Sequence, residues 1–281
     1  MSTSLSSDDA TPARRPLRFP ADWIKRKAAG ERISVLTAYD ATMARLLASS
    51  SVDALLIGDS LGMVVQGQSS TLPVTLDEMI YHSRMVRRGA PKLFLIGDLP
   101  FGSYQTSVES GIAAGIRLMK ESGVDAVKVE GAEEDTLNII RKLSAAGVPV
   151  MGHIGLTPQS YLTIGGFRAQ GRDDARAALL RTEARSLQSA GCFAMVLELV
   201  TADLTREITA GLEVPTISIG SGPGASGQVL VTNDLLGLDE RFQARHVKRY
   251  ANLGEQIKTA AQNYDREVHA GSFPGEEHSF R

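Results

Sequence analysis

Short runs of Val, Ile and Leu alternate along this chain with longer segments whose apolar residues recur at helical spacing. The runs are Ile33–Asp40 (ISVLTAYD), Ala54–Ser60 (ALLIGDS), Lys92–Leu99 (KLFLIGDL) and Ala126–Gly131 (AVKVEG), then Pro149–Leu156 (PVMGHIGL), Phe193–Val200 (FAMVLELV), Val214–Gly220 (VPTISIG) and Gly227–Thr232 (GQVLVT). Such nearly unbroken apolar runs suit parallel strands covered on both faces. Leu76–Arg88, Val108–Glu121, Asp135–Ala145 and Asp174–Ala190 read as crossover helices between them. Gly123, Gly147 and Gly191 each separate a helical segment from the next strand, where a left-handed C-cap belongs. Eight strands in β–α alternation over about 220 residues predict an α/β fold, a closed (β/α)8 TIM barrel, in preference to an open doubly wound sheet. The amphipathic segment Pro20–Ala29 precedes strand one and is placed to cap the barrel bottom, and His246–Thr259 reads as a closing helix. The pattern predicts one catalytic domain at 20–264, with a disordered N-terminal tail at 1–19 and a loosely ordered C-terminal tail at 265–281.

In barrels of this class the chemistry lies at the C-terminal ends of the strands. Strand one ends there in Asp40, strand two in Asp59-Ser60 and strand three in Asp98. Strand four carries Lys128 and ends in Glu130, strand five carries His153, and strand six carries Glu198. Five acids and one lysine are thus expected on one rim. Carboxylates are almost never buried unpaired, so their mutual repulsion implies a cation. One histidine and no suitably spaced cysteine argue against zinc. Two aspartates with waters and substrate oxygens describe a Mg2+ site.

Each residue also has a plainer reading. A single Asp at a strand–helix junction serves as a helix N-cap. N-caps do not account for Lys128, Glu130 and Glu198 at buried strand ends. Lys128 and Glu130 are two apart and share one face of their strand. They form either a plain buried ion pair, or an anion contact (Lys128) beside a metal shell (Glu130). Glu198, isolated in Met195-Val196-Leu197-Glu198-Leu199-Val200, is expected to have its pKa raised by desolvation toward a general base's range, or else to bond strand-end backbone. His153 is either a satisfied core histidine or a neighbour of the substrate site. Gly58 and Gly97 precede Asp59 and Asp98, and are expected to face outward and let a helix pack close. The long loops Leu61–Thr75 and Thr157–Asp173 are candidate lids. The Gly220–Gly227 run matches neither a P-loop nor a dinucleotide fingerprint, leaving a barrel phosphate site or a tight connection.

Composition narrows the function class. The 281 residues hold 30 Lys+Arg against 32 Asp+Glu, a net charge of −2, without the basic excess that nucleic-acid binding uses. Apolar residues at 43% and charged residues at 22% are globular values. The single cysteine, Cys192, excludes a disulfide framework, reads as a small buried hydrophobe and suggests a reducing cytoplasm. No apolar run of membrane-spanning length is seen, so no membrane partner is expected. The first 19 residues lack the apolar stretch of a signal peptide.

Several strings resemble one family. IGDSLGMVVQGQSSTLPVT (57–75), RRGAPKLFLIGDLPFGSY (87–104), VKVEG (127–131), GHIGLTPQS (152–160), GGFRAQGR (165–172) and GQVLVTNDLLGL (227–238) are similar, in order, to the ketopantoate hydroxymethyltransferase family, also called 3-methyl-2-oxobutanoate hydroxymethyltransferase. The resemblance spans roughly Ile33 to Leu238. It implies a barrel of the phosphoenolpyruvate/pyruvate-like superfamily and a Mg2+-dependent, aldol-type enzyme of pantothenate synthesis. Such an enzyme moves a hydroxymethyl group from methylenetetrahydrofolate to 3-methyl-2-oxobutanoate, giving 2-dehydropantoate. By motif, Asp59 and Asp98 resemble the metal ligands, with Glu130 completing or flanking the shell. Asp59, Ser60, Asp98 and Lys128 resemble the keto-acid contacts, and Glu198 the general base. A cytoplasmic homo-oligomer, often a decamer, is implied.

The chain departs from the family pattern at Ser226 (commonly Asp), Asn233 (commonly His) and Leu199 (commonly Cys). Two rivals stand beside this resemblance. One is a Mg-dependent 2-keto-acid lyase or mutase of the isocitrate-lyase-like group, whose members share a Lys-Cys-Gly-His loop that this chain lacks. The other is a non-catalytic keto-acid sensor, which has no use for Glu198.

Overall fold

Alternation along each strand sorts the side chains into two cores and a polar rim. The computed structural model describes residues 15–166, 168–241 and 244–280. Its eight strands are β1 (Ile33–Thr37), β2 (Ala54–Ile57), β3 (Phe94–Asp98), β4 (Ala126–Lys128), β5 (Val150–Gly155), β6 (Ala194–Glu198), β7 (Thr216–Ile219) and β8 (Gly227–Leu230). All are parallel and close in sequence order, with β8 pairing back to β1. Each lies inside one of the expected apolar runs.

One set of positions, including Val35, Leu56, Phe94, Ile96, Met151, Val196, Ile217 and Val229, fills the barrel interior. The alternate set, including Leu55, Ile57, Leu95, Val127, Ile154 and Leu197, packs outward against the helices. Strand side chains point to opposite faces in turn. The inward rows Ile96–Asp98, Ala126–Lys128, Met151–His153 and Val196–Glu198 therefore carry polar groups to the top of an apolar interior.

The helices are α1 (Pro20–Ala28), α2 (Ala41–Ala48), α3 (Leu61–Val64), α4 (Leu76–Gly89), α5 (Val108–Ser122), α6 (Glu134–Ala145), α7 (Tyr161–Ile164), α8 (Asp174–Ala190), α9 (Ala202–Ala210), α10 (Thr232–Leu235) and α11 (Leu253–His269). As expected, α1 closes the bottom. Trp23 is fully buried, with its ring edge-on to Phe94 at 5.4 Å and to Phe193 at 5.5 Å. Arg26 forms a buried ion pair with Asp53, whose other carboxylate oxygen accepts from Ser34 N at 2.8 Å.

Three expectations need correction. The expected closing helix His246–Thr259 is displaced: α11 begins at Leu253 and continues to His269, across the boundary drawn at 265. Residues 246–252 precede it without helical bonding. The expected N-terminal tail lies outside the described residues through position 14. Within 15–19 the chain is tied down, since Leu17 is buried with Trp23 and Asp22 accepts from Arg18 N and Phe19 N. Strict β–α alternation also fails once. No helix separates β7 from β8, and the loop 220–226 makes the connection directly. This loop hugs α9: a Cβ on Gly222 would meet Ala202 Cβ at 2.8 Å, and one on Gly224 would meet Arg206 Cα at 3.0 Å. Glycine here lets the loop lie directly against the helix.

Candidate active site

The rim acids do not all converge. Asp40 lies beyond the end of β1 and caps α2, accepting from Thr42 N at 2.8 Å and Met43 N at 2.9 Å. It is exposed and takes no part in the cluster. The other four acids meet around Lys128 and His153.

Lys128 Nζ is 3.2 Å from Asp98 Oδ2 and 3.7 Å from Glu130 Oε1, and all three side chains are buried. Burial alone would lower the Lys128 pKa, but Asp98, Glu130 and Asp59 outweigh it and hold the ammonium above its ordinary value. Asp98 Oδ2 also accepts from Asp59 N at 3.2 Å. Asp98 Oδ1 is buried and, among the described residues, has no hydrogen-bond partner. Burial raises the Asp98 pKa against the pull of Lys128. Asp59 is pushed up to about 8, by burial first and then by the charges of Asp98 and Glu130.

Glu130 is the better-satisfied acid. Its Oε2 accepts from Gln159 N at 3.0 Å, and its Oε1 lies 3.3 Å from His153 Nδ1. Burial opposes its ionisation, but the His153 contact and Lys128 prevail and lower its pKa. His153 bridges two acids. Its Nε2 is 3.3 Å from Glu198 Oε2, in ion-pair range without hydrogen-bond alignment. Burial and Lys128 oppose its protonation, yet Glu130 and Glu198 raise its pKa to about 9. Lys128 Nζ approaches the same Nδ1 that faces Glu130, also at 3.3 Å, so this nitrogen lies between the ammonium and the Glu130 carboxylate.

Glu198 is not isolated in an apolar strand, as expected from its neighbours in sequence. It ends β6 beside His153, and its side chain keeps 18% exposure toward the open side of the rim. Ser60, half-buried, bonds Tyr39 Oη through its Oγ at 2.9 Å.

Sequence reasoning missed Gln159. Its Nε2 donates to Asp59 Oδ2 and to the Leu99 carbonyl, both at 2.9 Å. Its Oε1 accepts from Tyr104 Oη at 2.8 Å and Gln105 Nε2 at 2.9 Å. One buried amide thus holds the loops after β3 and β5 to the acid cluster. It sits in the turn Pro158–Ser160, inside a loop expected as a lid. The only local signal was a polar residue directly after Pro158.

The two glycines before the aspartates differ. A Cβ on Gly97 would touch Leu118 at 3.1 Å, so β3 and α5 approach as expected. A Cβ on Gly58 would instead meet Ser60 Oγ at 2.8 Å and Asp98 Oδ2 at 3.6 Å, so Gly58 faces the site. Of the departures from the family pattern, Ser226 precedes β8 and bonds Thr216, at the end of the barrel away from the rim. Asn233 donates to Val64 O at 3.3 Å.

The donor set fits a hard divalent cation. Two buried carboxylates, one with an unpartnered oxygen and the other pushed toward protonation by burial and by its acidic neighbours, suit Mg2+ when substrate and water complete its shell. Glu130 has both oxygens engaged and flanks that position. Among the described residues, no three His, Cys, Asp or Glu side chains form a closed metal-binding group, so the protein alone offers an incomplete shell.

Cys192 lies away from this chemistry. It is buried against Gly152 and Leu187, and burial pushes its thiol up to about 12. The native protein at pH 7–8 is therefore expected to be inert to an aromatic disulfide reagent, with one thiol titrating only after denaturation. Rapid native labelling with loss of activity would instead indicate a catalytic cysteine.

Comparison with known proteins adds three findings. Residues 20–276 match the family model described as ketopantoate hydroxymethyltransferase. A 3-methyl-2-oxobutanoate hydroxymethyltransferase of Leptospira interrogans serogroup Icterohaemorrhagiae serovar copenhageni is 53% identical over 254 residues, covering 90% of this chain and 96% of that protein. Among solved structures, 2,3-dimethylmalate lyase, a PEP mutase/isocitrate lyase superfamily member, superposes with a TM-score of 0.60 at 16% identity, covering 94% of this chain and 93% of the other. A phosphonopyruvate hydrolase complexed with oxalate and Mg2+ gives 0.59 at 10% identity, with 93% of each chain covered. These last two likenesses concern the fold. Among the described residues no helix is long and apolar enough to cross a membrane.

Proposed function

The chain belongs to the ketopantoate hydroxymethyltransferase family, a transferase family of pantothenate synthesis, and on that footing we propose how its rim carries out the reaction. The acceptor is 3-methyl-2-oxobutanoate and the one-carbon donor is methylenetetrahydrofolate. One water is consumed, and 2-dehydropantoate and tetrahydrofolate leave. Asp59 and Asp98 hold Mg2+, with Glu130 flanking it through Gln159 and His153. The observation that carries this reading is the pair Asp59 and Asp98, both buried beside Glu130, with Asp98 Oδ1 left without a hydrogen-bond partner among the described residues.

When bound, Mg2+ supplies Lewis-acid polarisation of a carbonyl group. Lys128, kept charged by its carboxylate neighbours, sets a second positive charge where the oxyanion of an enolate develops. Charge placed there stabilises the transition state more than the ground state. Ser60 and Lys128 orient the keto acid. Glu198 accepts the C3 proton, with His153 Nε2 lying 3.3 Å from its carboxylate. One C–C bond forms from C3 to the donor's bridging methylene, both C–N bonds of that methylene break, and water supplies the oxygen of the new C–O bond. The working unit is a cytoplasmic homo-oligomer, a decamer on the family's pattern.

The direct test is product formation. Purified protein given keto acid, methylenetetrahydrofolate and Mg2+ is expected to form 2-dehydropantoate, and to stop when either the donor or the metal is omitted. Turnover of the keto acid to smaller fragments without donor would favour a lyase instead.

A further inference from the structure

The loop after α7 carries a second chemistry, outside the acid cluster. A cavity of about 430 Å3 opens between Arg168, Gln170, Arg172, Asp173 and Arg176. Strand-like bonds seat it against the end of β6. Gln170 N donates to Leu199 O at 2.7 Å, Thr201 N donates to Gln170 O at 3.1 Å, and Gln170 pairs in parallel with Val200. Gln170, a residue of the cavity wall, is thus bonded to the residue that follows Glu198. Leu199 itself takes a φ of 49° there, a left-handed turn that is unfavourable for a non-glycine residue. The Gln170 contact holds that turn.

The charges on the wall are unevenly satisfied. Arg176 is paired with Glu183 at 3.0 Å, and Asp173 is engaged in capping α8, accepting from Arg176 N at 2.8 Å. Among the described residues, neither Arg168 nor Arg172 has an ion-pair or hydrogen-bond partner for its guanidinium. Both residues are exposed, and with Arg176 they outnumber Asp173 on the wall, an excess of positive charge that favours an anion in the cavity. The planar fork of arginine matches a carboxylate with two parallel donors.

The small keto acid does not supply that anion, because its oxygens belong with Lys128 and the aspartates deeper in the barrel. An anion held at the cavity belongs to a longer molecule that reaches from the rim to the loop. We infer that Arg168 and Arg172 form the docking subsite for the glutamate carboxylates of the folate donor, which sit at the far end of that molecule from its one-carbon unit. This rests on the donor being a folate, as proposed above.

The test compares two ligands that differ only in that end. Calorimetry would measure binding of tetrahydrofolate and of tetrahydropteroate, which lacks the glutamate, to the wild-type protein and to an Arg168→Gln/Arg172→Gln variant. Loss of charge-assisted bonds predicts about ten- to a hundredfold weaker binding of tetrahydrofolate, with tetrahydropteroate unchanged. Donor-free exchange of the keto acid's C3 proton in the variant should stay within about twofold of wild type, because the acid cluster is untouched. Equal weakening of both ligands, or of neither, overturns the subsite. Loss of exchange in the variant also overturns it, since the loop would then be serving Glu198 and not the donor. The binding readout does not depend on turnover, so failure of the proposed reaction would show separately, as absent product with the wild-type protein.

Discussion

Glu198→Gln is expected to slow exchange of the keto acid's C3 proton with solvent deuterium by about 10²–10⁴-fold, the usual contribution of a positioned general base. The amide has nearly the shape of the carboxylate but accepts no proton. The side chain ends β6 and faces open space on one side, so the change removes no core packing. Keto-acid binding in the presence of Mg2+ should persist, because the groups assigned to it are Asp59, Asp98, Lys128 and Ser60. A fall in kcat with little change in the keto acid's Kd is the expected pattern. Wild-type exchange in this variant would remove Glu198 from the role of base. The partner of Glu198 matters too. Protonated His153 loses one of its two carboxylate neighbours, so its pKa is expected to fall from about 9, as seen in the ring-proton NMR titration.

Asp59→Asn is expected to abolish Mg2+-dependent binding of the keto acid, and to change how stability varies with pH. Asp59 has a folded pKa of about 8, above its ordinary 3.8. A raised folded pKa means that the stabilising contribution is present in full below the unfolded pKa and is lost as pH rises through the folded one. The metal-free wild-type protein should therefore lose stability between about pH 4 and pH 8 on account of this group. Bound Mg2+ needs the ionised carboxylate, so its affinity should rise over the same window and its binding should release protons. Thermal unfolding with and without Mg2+ should give a Tm difference that widens from pH 6 to pH 8. In Asp59→Asn the difference should vanish, and the metal-free protein should be the more stable one at pH 8. An undiminished Tm difference in the variant would show that Asp59 does not hold the metal.

Much of this architecture was legible in the chain. Strands buried on both faces leave continuous apolar runs, and each of the eight runs holds a strand. Two-residue periodicity then placed Lys128 and Glu130 on one face, and the rim acids Asp98 and Glu198 at inward positions. The same logic failed for Asp40. The strand stops at Thr37, and three further residues of loop return the carboxylate to helix capping. A strand's apolar run marks where it begins more firmly than where its last ladder bond falls.

The other differences arise from contacts between distant segments. Gln159 acquires its importance from Asp59, Leu99 and Tyr104, all far away in sequence. His153 could be read either way until Glu130 and Glu198 flanked it. The direct β7–β8 connection depends on how closely α9 approaches, which local spacing does not encode. The shift of the closing helix to Leu253–His269 has a simpler cause. That segment is mostly exposed, so its periodicity was weakly constrained by a core.

The central claim is that a metal held by Asp59 and Asp98 and a base at Glu198 together activate C3 of a 2-keto acid. Proton NMR of 3-methyl-2-oxobutanoate in deuterium oxide, with wild-type enzyme and no folate, tests it most directly. Loss of the C3 proton signal in the presence of Mg2+, stopped by a chelator and restored by added Mg2+, is the expected result. Exchange that is absent with Mg2+, or that continues unchanged after chelation, would contradict it.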